Sequence, residues 1–291
     1  MKSKSMSTPE KAAVSRAMEM LFAEKERLYI DKYSKEFLTG FNRFFINIMK
    51  HEGVRNWIMS LMEKAGPGIY GGFISRTKYM DDVLEAAIAN KFDAVVNLGG
   101  GYDTKCLRFD FKGLEYYHVD QKPVMDNYKK IMSGLEGGIP AHVKFVPIDF
   151  NTQNLGNELV KAGYDKDKRT LFLWEGVTQY ITLEAVVGTL EYIASCLKGS
   201  QVVFTYVPKS LFTSSETFPE YRKVIKLAKR VGEEWITGLE SEKISEFIEQ
   251  CGLVLIEDVG NTDYKKRYFE PIAREMAIMP IERIAYAEVK E

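Results

Sequence analysis

The stretch Val95-Val96-Asn97-Leu98-Gly99-Gly100-Gly101-Tyr102-Asp103-Thr104 decides the fold. A short apolar run enters three glycines, and a helix-compatible segment follows. Glycine leaves no side chain between backbone and ligand and tolerates conformations other residues resist. In an open parallel sheet such a turn sits at the carboxyl end of a strand, where ligands bind.

Outward from this turn, short β-branched or aromatic runs alternate with helical stretches. Strands are expected over residues 93–98, 114–120, 143–148, 170–174, 201–206 and 253–259, with one more within 281–289. Helices are expected from residue 104 onward and over 123–133, 183–197 and 241–251. Strand–helix alternation means parallel strands with helical crossovers. The expected fold class is α/β, a doubly wound Rossmann-like and mostly parallel sheet of roughly seven strands. An N-terminal helical extension over residues 1–90 forms a cap. Residues 91–291 form the core, with an insertion near 208–237, and the whole reads as a single domain.

Within the extension, Ser7-Thr8-Pro9-Glu10 has the signs of a helix start. Phe37, Leu38, Phe41, Phe44, Phe45, Ile48 and Met49, continued by Val54, Trp57, Ile58 and Leu61, recur at helical spacing. They predict a core-facing helix pair, compatible with a cap over an apolar substrate. The insertion carries Phe212, Phe218, Tyr221 and Trp235 and a basic helix-like piece, 222–230. Long connections in α/β folds serve as lids or substrate walls, and the alternative is a solvated surface helix.

The 291 residues are 45% apolar and 28% charged, an ordinary soluble composition. A formal net charge of −1 gives no basic excess for a nucleic-acid partner. Cys106, Cys196 and Cys251 are too few and too scattered for a disulfide framework or a metal site, which fits a reducing, cytoplasmic setting. The opening residues are polar, unlike a signal peptide. No apolar run approaches the ~20 residues that span a bilayer. No membrane partner is expected.

Acids close the next strands. Asp120 ends the second strand about 20 residues beyond the glycines, the distance at which a carboxylate meets an adenosine ribose. Asp149 ends the third, followed by Phe150 as a packing surface for adenine. Glu175, followed by Gly176, ends the fourth. The dinucleotide fingerprint G-x-G-x-x-G would need glycine where Thr104 stands. Asp103 in that turn would repel a pyrophosphate, although it also suits a plain helix cap. A ligand with a ribose, an amino group and a sulfonium charge uses such an edge well.

Here the chain resembles the class I S-adenosylmethionine-dependent methyltransferases of the leucine carboxyl methyltransferase and polyketide O-methyltransferase type. The resemblance runs from about residue 76 onward, through "SRTKYMDDVL", "VVNLGGGYDTKCLRF", "YYHVDQKPVMDNYKK", "LFLWEGVTQYIT" and "GEEWITGL". It implies that Arg76 holds the cofactor carboxylate, a task suited to a guanidinium fork. The other reading of Arg76 is a surface residue paired with Asp81 or Asp82. Gly99, Gly100 and Gly101 would pass under the methionine portion, beside Asp103. Asp120 and its neighbour Gln121 would hold the ribose, and Asp149 with Phe150 would frame the adenine. Glu175 and Gly176 would lie near the amino or sulfonium side. Arg16 is the candidate for a further basic contact from the N-terminal helices.

The implied reaction is methyl transfer from S-adenosylmethionine to an oxygen, most simply a carboxylate of a small molecule or peptide. Proximity and alignment are then the protein's main contributions. A carboxylate needs no general base. His118 and His142, in or beside strands, read as structural, and only His51 could enter a cap pocket. Gln179, Tyr180, Tyr206 and Trp235 are candidate walls for the acceptor. Rival readings are an NAD-type oxidoreductase, a non-catalytic protein binding an S-adenosyl ligand, and an RNA methyltransferase. The last has "WEGV" where an asparagine–proline tetrapeptide would stand.

Overall fold

The computed structural model describes residues 8–214, 217–230 and 232–290. A seven-stranded sheet runs in the order β3-β2-β1-β4-β5-β7-β6. The strands are β1 (Ala94–Leu98), β2 (Glu115–Asp120), β3 (Val143–Pro147), β4 (Thr170–Trp174), β5 (Gln201–Tyr206), β6 (Leu253–Val259) and β7 (Arg283–Val289). The first five pair in parallel, and β7 is antiparallel to both β5 and β6. β1, β4 and most of β2 and β5 are buried throughout. This is why they read as apolar runs rather than alternating patterns. The order reverses between β1 and β4, which puts the switch point at the glycine turn.

Among the described residues four α-helices precede the sheet: α1 (Thr8–Glu19), α2 (Gly40–Ile48), α3 (Glu52–Ala65) and α4 (Ile69–Ala89). Between strands lie α5 (Lys105–Arg108), α6 (Lys122–Ser133), α7 (Leu155–Lys161) and α8 (Leu183–Ala194). The insertion after β5 holds α9 (Ser210–Thr213) and α10 (Arg222–Arg230). The remainder are α11 (Ile244–Gln250) and α12 (Asn261–Tyr264). Ser7, the expected cap of α1, lies outside the described residues.

One apolar cluster joins α1, α4, α6 and one face of the sheet through Met18, Tyr70, Met80, Tyr128 and Leu173. The other packs α7, α8 and α11 on the opposite face through Leu159, Leu190 and Ile248. Helices on both faces of the sheet make a three-layer α/β arrangement.

The helix pair expected to face the core does so only on one side. Ile46, Met49 and Ile58 are buried, but Phe41, Phe44, Trp57 and Leu61 are 76%, 60%, 64% and 45% exposed. The periodicity is that of helices with two apolar stripes, only one of which is covered by another of the described elements. Phe37 closes a separate 3-10 turn, Ser34–Phe37, and stacks on Tyr128.

Candidate active site

Chain direction and the sheet's twist bring the ends of β1, β2, β3 and β4 around one cavity of about 270 Å³. Arg76, Gly99, Gly100, Gly101, Asp103, Asp120, Gln121, Asp149, Phe150, Glu175 and Gly176 all line it, with Arg16 and Tyr180. Thr8, Pro9 and Ala12 of α1 add a helical roof.

The glycine turn is shaped for a close approach. Gly99 and Gly101 have φ of +63° and +53°. A Cβ on Gly99 would sit 2.2 Å from Val177 Cγ2. One on Gly100 would sit 2.5 Å from His118 Cε1. The backbone therefore passes where no side chain fits.

Asp120 is buried, and its two oxygens accept from Gly101 N and Gln121 N, each at 2.6 Å. Among the described residues it has no cation. Burial therefore pushes its carboxyl up to about 6, against those two bonds. A buried carboxylate with spare lone pairs and no counter-ion is an acceptor waiting for donors.

The opposite wall is an ionic network. Lys105, 1% exposed, lies 2.7 Å from Asp103, 3.3 Å from Glu175 and 3.8 Å from Asp81. Burial works against the charge on Asp103, but Lys105 and Arg16 overcome it and hold the carboxyl at about 2. Burial likewise opposes the charge on Glu175, which Lys105 and Arg76 outweigh, so its pKa is lowered. Arg108 grips Asp81 through two bonds of 2.6 and 2.7 Å. Arg16 pairs with Asp31 at 3.0 Å, and Asp31 also accepts from Thr104 Oγ1. Arg76 donates Nε to Glu175 at 3.0 Å and Nη1 to Glu282 at 2.7 Å. Arg76 thus pairs with neither Asp81 nor Asp82. Those aspartates lie further along α4 and turn to Arg108 and Lys78.

Both arginines keep a donor in hand. Arg76 spends Nε and Nη1, and Arg16 spends Nε and Nη2 (the latter on Tyr102 O). Nη2 of Arg76 and Nη1 of Arg16 have no bond among the described residues. Arg76 Nη2 would lie 3.1 Å from a Cβ on Gly176, so only glycine leaves it open. The network sets Asp31, Asp81, Asp103, Glu175 and Glu282 against Arg16, Arg76, Lys105 and Arg108. It carries one negative charge more than it neutralises. A ligand with a net positive charge and one carboxylate complements it.

Other expected residues lie elsewhere. Tyr206 is in the core, its hydroxyl bonded to Asp258 at 3.0 Å and approached by Arg283. It stands at the carboxyl edge of the sheet but does not line the cavity. Gln179 is buried and does not line the cavity; its backbone carbonyl accepts from Ile236 N at 2.8 Å. Trp235 stands behind Tyr180 in an edge-on contact, centroids 6.4 Å apart. His51 sits at the exposed start of α3 and does not reach the cavity. His118 stacks on Tyr128 at 4.2 Å, and burial pushes its pKa down to about 4.

Several site residues escaped the sequence reading. Asp31 and Glu282 come from irregular segments with no motif. Lys105 and Arg108 stand in the quoted glycine block. Two cations within five residues of Asp103 were the signal available there.

The profile of the family described as leucine carboxyl methyltransferase matches residues 10–194, spanning all of this wall except Glu282. The chain belongs to the leucine carboxyl methyltransferase family. It is an S-adenosylmethionine-dependent methyltransferase, and S-adenosylmethionine is its cofactor.

A relative from Bacillus subtilis (strain 168), YktD, is 26% identical over 86% of this chain and 81% of its own length. A relative from Frankia alni is 28% identical over 45% of this chain and 46% of its own length. Both carry the provisional name of an S-adenosyl-L-methionine-dependent methyltransferase. The chain spans about half the length of the Frankia relative. The structure of a protein from Thermobifida fusca YX, provisionally named a methyltransferase, superposes with a TM-score of 0.57 at 12% identity, over 95% of this chain and 94% of its own. A DUF574 family protein from Streptomyces avermitilis gives 0.56 at 14% identity, over 95% and 97%. At such identity these two show the methyltransferase-like fold.

The cofactor's chemistry fits the residues present. Its ribose hydroxyls match the unpaired Asp120, its carboxylate the spare arginine donors, and its excess positive charge the excess negative charge of the network. The oxidoreductase reading gives way to this family membership. No helix among the described residues is long and apolar enough to cross a membrane.

Proposed function

We propose that this methyltransferase esterifies a carboxylate, on a small molecule or a peptide, by direct in-line methyl transfer. S-adenosylmethionine supplies the electrophilic methyl group and a good leaving group. Asp120 accepts from the ribose hydroxyls, and Asp149 and Phe150 bound the adenine. Arg76 and Arg16 hold the carboxylate, with Glu175 and Asp103 toward the positive side. The glycine turn admits the backbone close to the ligand. Tyr180 and Ile181, under Thr8 and Pro9, leave an apolar approach for the acceptor.

The observation that carries the reading is that, among the described residues, the lining contains no histidine, lysine or cysteine to serve as a general base. Its four carboxylates are committed: Asp103 and Glu175 to Lys105, Asp120 to the ribose position, and Asp149, which accepts from Asn151 N at 3.0 Å, to the adenine. Burial raises the pKa of Tyr180, so its phenolate is not available. A hydroxyl acceptor would need a base, whereas a carboxylate arrives ionised. Positioning alone then supplies the rate.

The test is transfer of labelled methyl groups to matched sets of carboxylic acids, phenols and amines. The expected product is alkali-labile, releasing methanol, and forms from acids only. Alkali-stable transfer to phenols or amines would overturn the carboxylate assignment.

A further inference from the structure

We infer that the rim of the cavity is a peripheral docking face for an anionic lipid surface, built from the basic side of α10 and the uncovered aromatic stripes of α2 and α3. This goes beyond the methyl acceptor and does not depend on it.

α10 reads Arg-Lys-Val-Ile-Lys-Leu-Ala-Lys-Arg. At 100° per residue, Arg222, Lys223, Lys226, Lys229 and Arg230 fall on one side of the helix. All are exposed. Ile225, on the other side, packs on a small apolar cluster with Leu211, Tyr221 and Met279. Only Lys229 has a carboxylate partner among the described residues, Glu234. The chain as a whole carries a formal charge of −1, so this is a local concentration of cations and not a spill-over of a basic protein. A basic amphipathic helix with its charged side outward is the form that meets anionic headgroups.

The second component is apolar. Phe41 and Phe44 lie three apart on α2, and Trp57 and Leu61 four apart on α3, all well exposed. Aromatic rings suit the headgroup level of a bilayer, where one edge is wet and the other apolar.

Contacts link the two components to each other and, through α1, to the cavity. Tyr221 Oη, just before α10, donates to Pro67 O, just after α3, at 2.6 Å. Beyond the far end of α10, Glu233 pairs with Lys11 of α1. Its neighbour Glu10 accepts from Thr39 N at 2.9 Å and Asn42 Nδ2 at 2.8 Å, at the start of α2. The path α1–α2–α3–α10 thus closes on itself. The α1 residues at its seam, Thr8, Pro9 and Ala12, line the cavity. A bilayer against this rim would deliver an amphipathic molecule to the opening.

The test is co-sedimentation of the full chain with vesicles of phosphatidylcholine alone or mixed with phosphatidylglycerol, at low and raised salt. Binding is expected to the anionic vesicles only and to weaken with salt. Lys223→Glu with Lys226→Glu should weaken it by more than about 25-fold, at roughly fivefold per cation. Phe44→Ser with Trp57→Ser should weaken it at unchanged charge. Unaltered S-adenosylhomocysteine affinity, by calorimetry, shows that both variants fold. Failure of the wild type to bind anionic vesicles, or equal binding by the charge-reversed variant, would overturn the inference. So would a stable dimer in solution lost in Phe44→Ser/Trp57→Ser, which would make a second copy the occupant.

Discussion

At the scale of single residues, the site turns on two buried charges in opposite situations. Asp120 is a carboxylate without a cation, raised to about 6. Its folded pKa lies above the unfolded value of about 3.9, so the fold favours the proton. The contribution to stability is present at low pH and lost as pH rises through 6. Ligand binding has the opposite sign, because the ionised form is the one that accepts hydroxyl donors. Affinity for S-adenosylhomocysteine should therefore be full near pH 7.5 and fall as pH drops through 6, approaching tenfold per unit below it. Calorimetry over that range checks this, and in Asp120→Ala the weak residual binding should lose that pH step. Lys105 is a cation among three carboxylates. Lys105→Met should cost about 3–5 kcal/mol, as breaking a buried ion network does. Urea unfolding at pH 7.5 would measure it, and a loss below about 1 kcal/mol, typical of an exposed pair, would mean the network is wetter than its geometry indicates.

At the scale of elements, the β1–α5 turn is the tightest part of the cavity lining, and in the proposed function it admits the cofactor. Gly99→Ala meets two penalties: a left-handed backbone, costing about 1–2 kcal/mol, and the clash with Val177 Cγ2. Adding Val177→Ala removes the clash and leaves the backbone term. The double variant should accordingly recover part of the stability lost in Gly99→Ala, and both should bind S-adenosylhomocysteine more weakly than the wild type. Equal stability of single and double variants would show that the valine yields freely. These elements were largely legible beforehand. β4, β5 and β6 span the expected residues, because short runs rich in apolar, β-branched and aromatic residues and bounded by turns leave a strong pattern. α7 went unread because it is short, polar and contains Gly156. The antiparallel pairing of β7, inserted between β5 and β6, has no local signature.

At the scale of the whole molecule, the cavity joins parts that are far apart in sequence: α1, α4, and the ends of β1 to β4. Binding to the folded state alone stabilises it in proportion to the logarithm of ligand excess. At a hundredfold excess over Kd, S-adenosylhomocysteine should add about 2.7 kcal/mol, read as a rise in thermal midpoint. NAD at the same concentration should leave the midpoint unchanged. Equal shifts with both would point to an adenosine site without selection at the other end, and the roles given to Arg76 and Glu175 would be wrong.

The strand ends, the glycine turn and the acids that follow it were set by the sequence alone, because strand period, turn chemistry and motif spacing are local properties. Which charge meets which was decided only by the tertiary structure. Arg76 lies 206 residues from Glu282, and Lys11 lies 222 from Glu233. No periodicity reports on such pairs. The same holds for the faces of α2 and α3. Helical spacing says that an apolar stripe exists, while its burial depends on whether another element arrives to cover it. For Ile46 and Ile58 one did, and for Phe44 and Trp57 none of the described elements does.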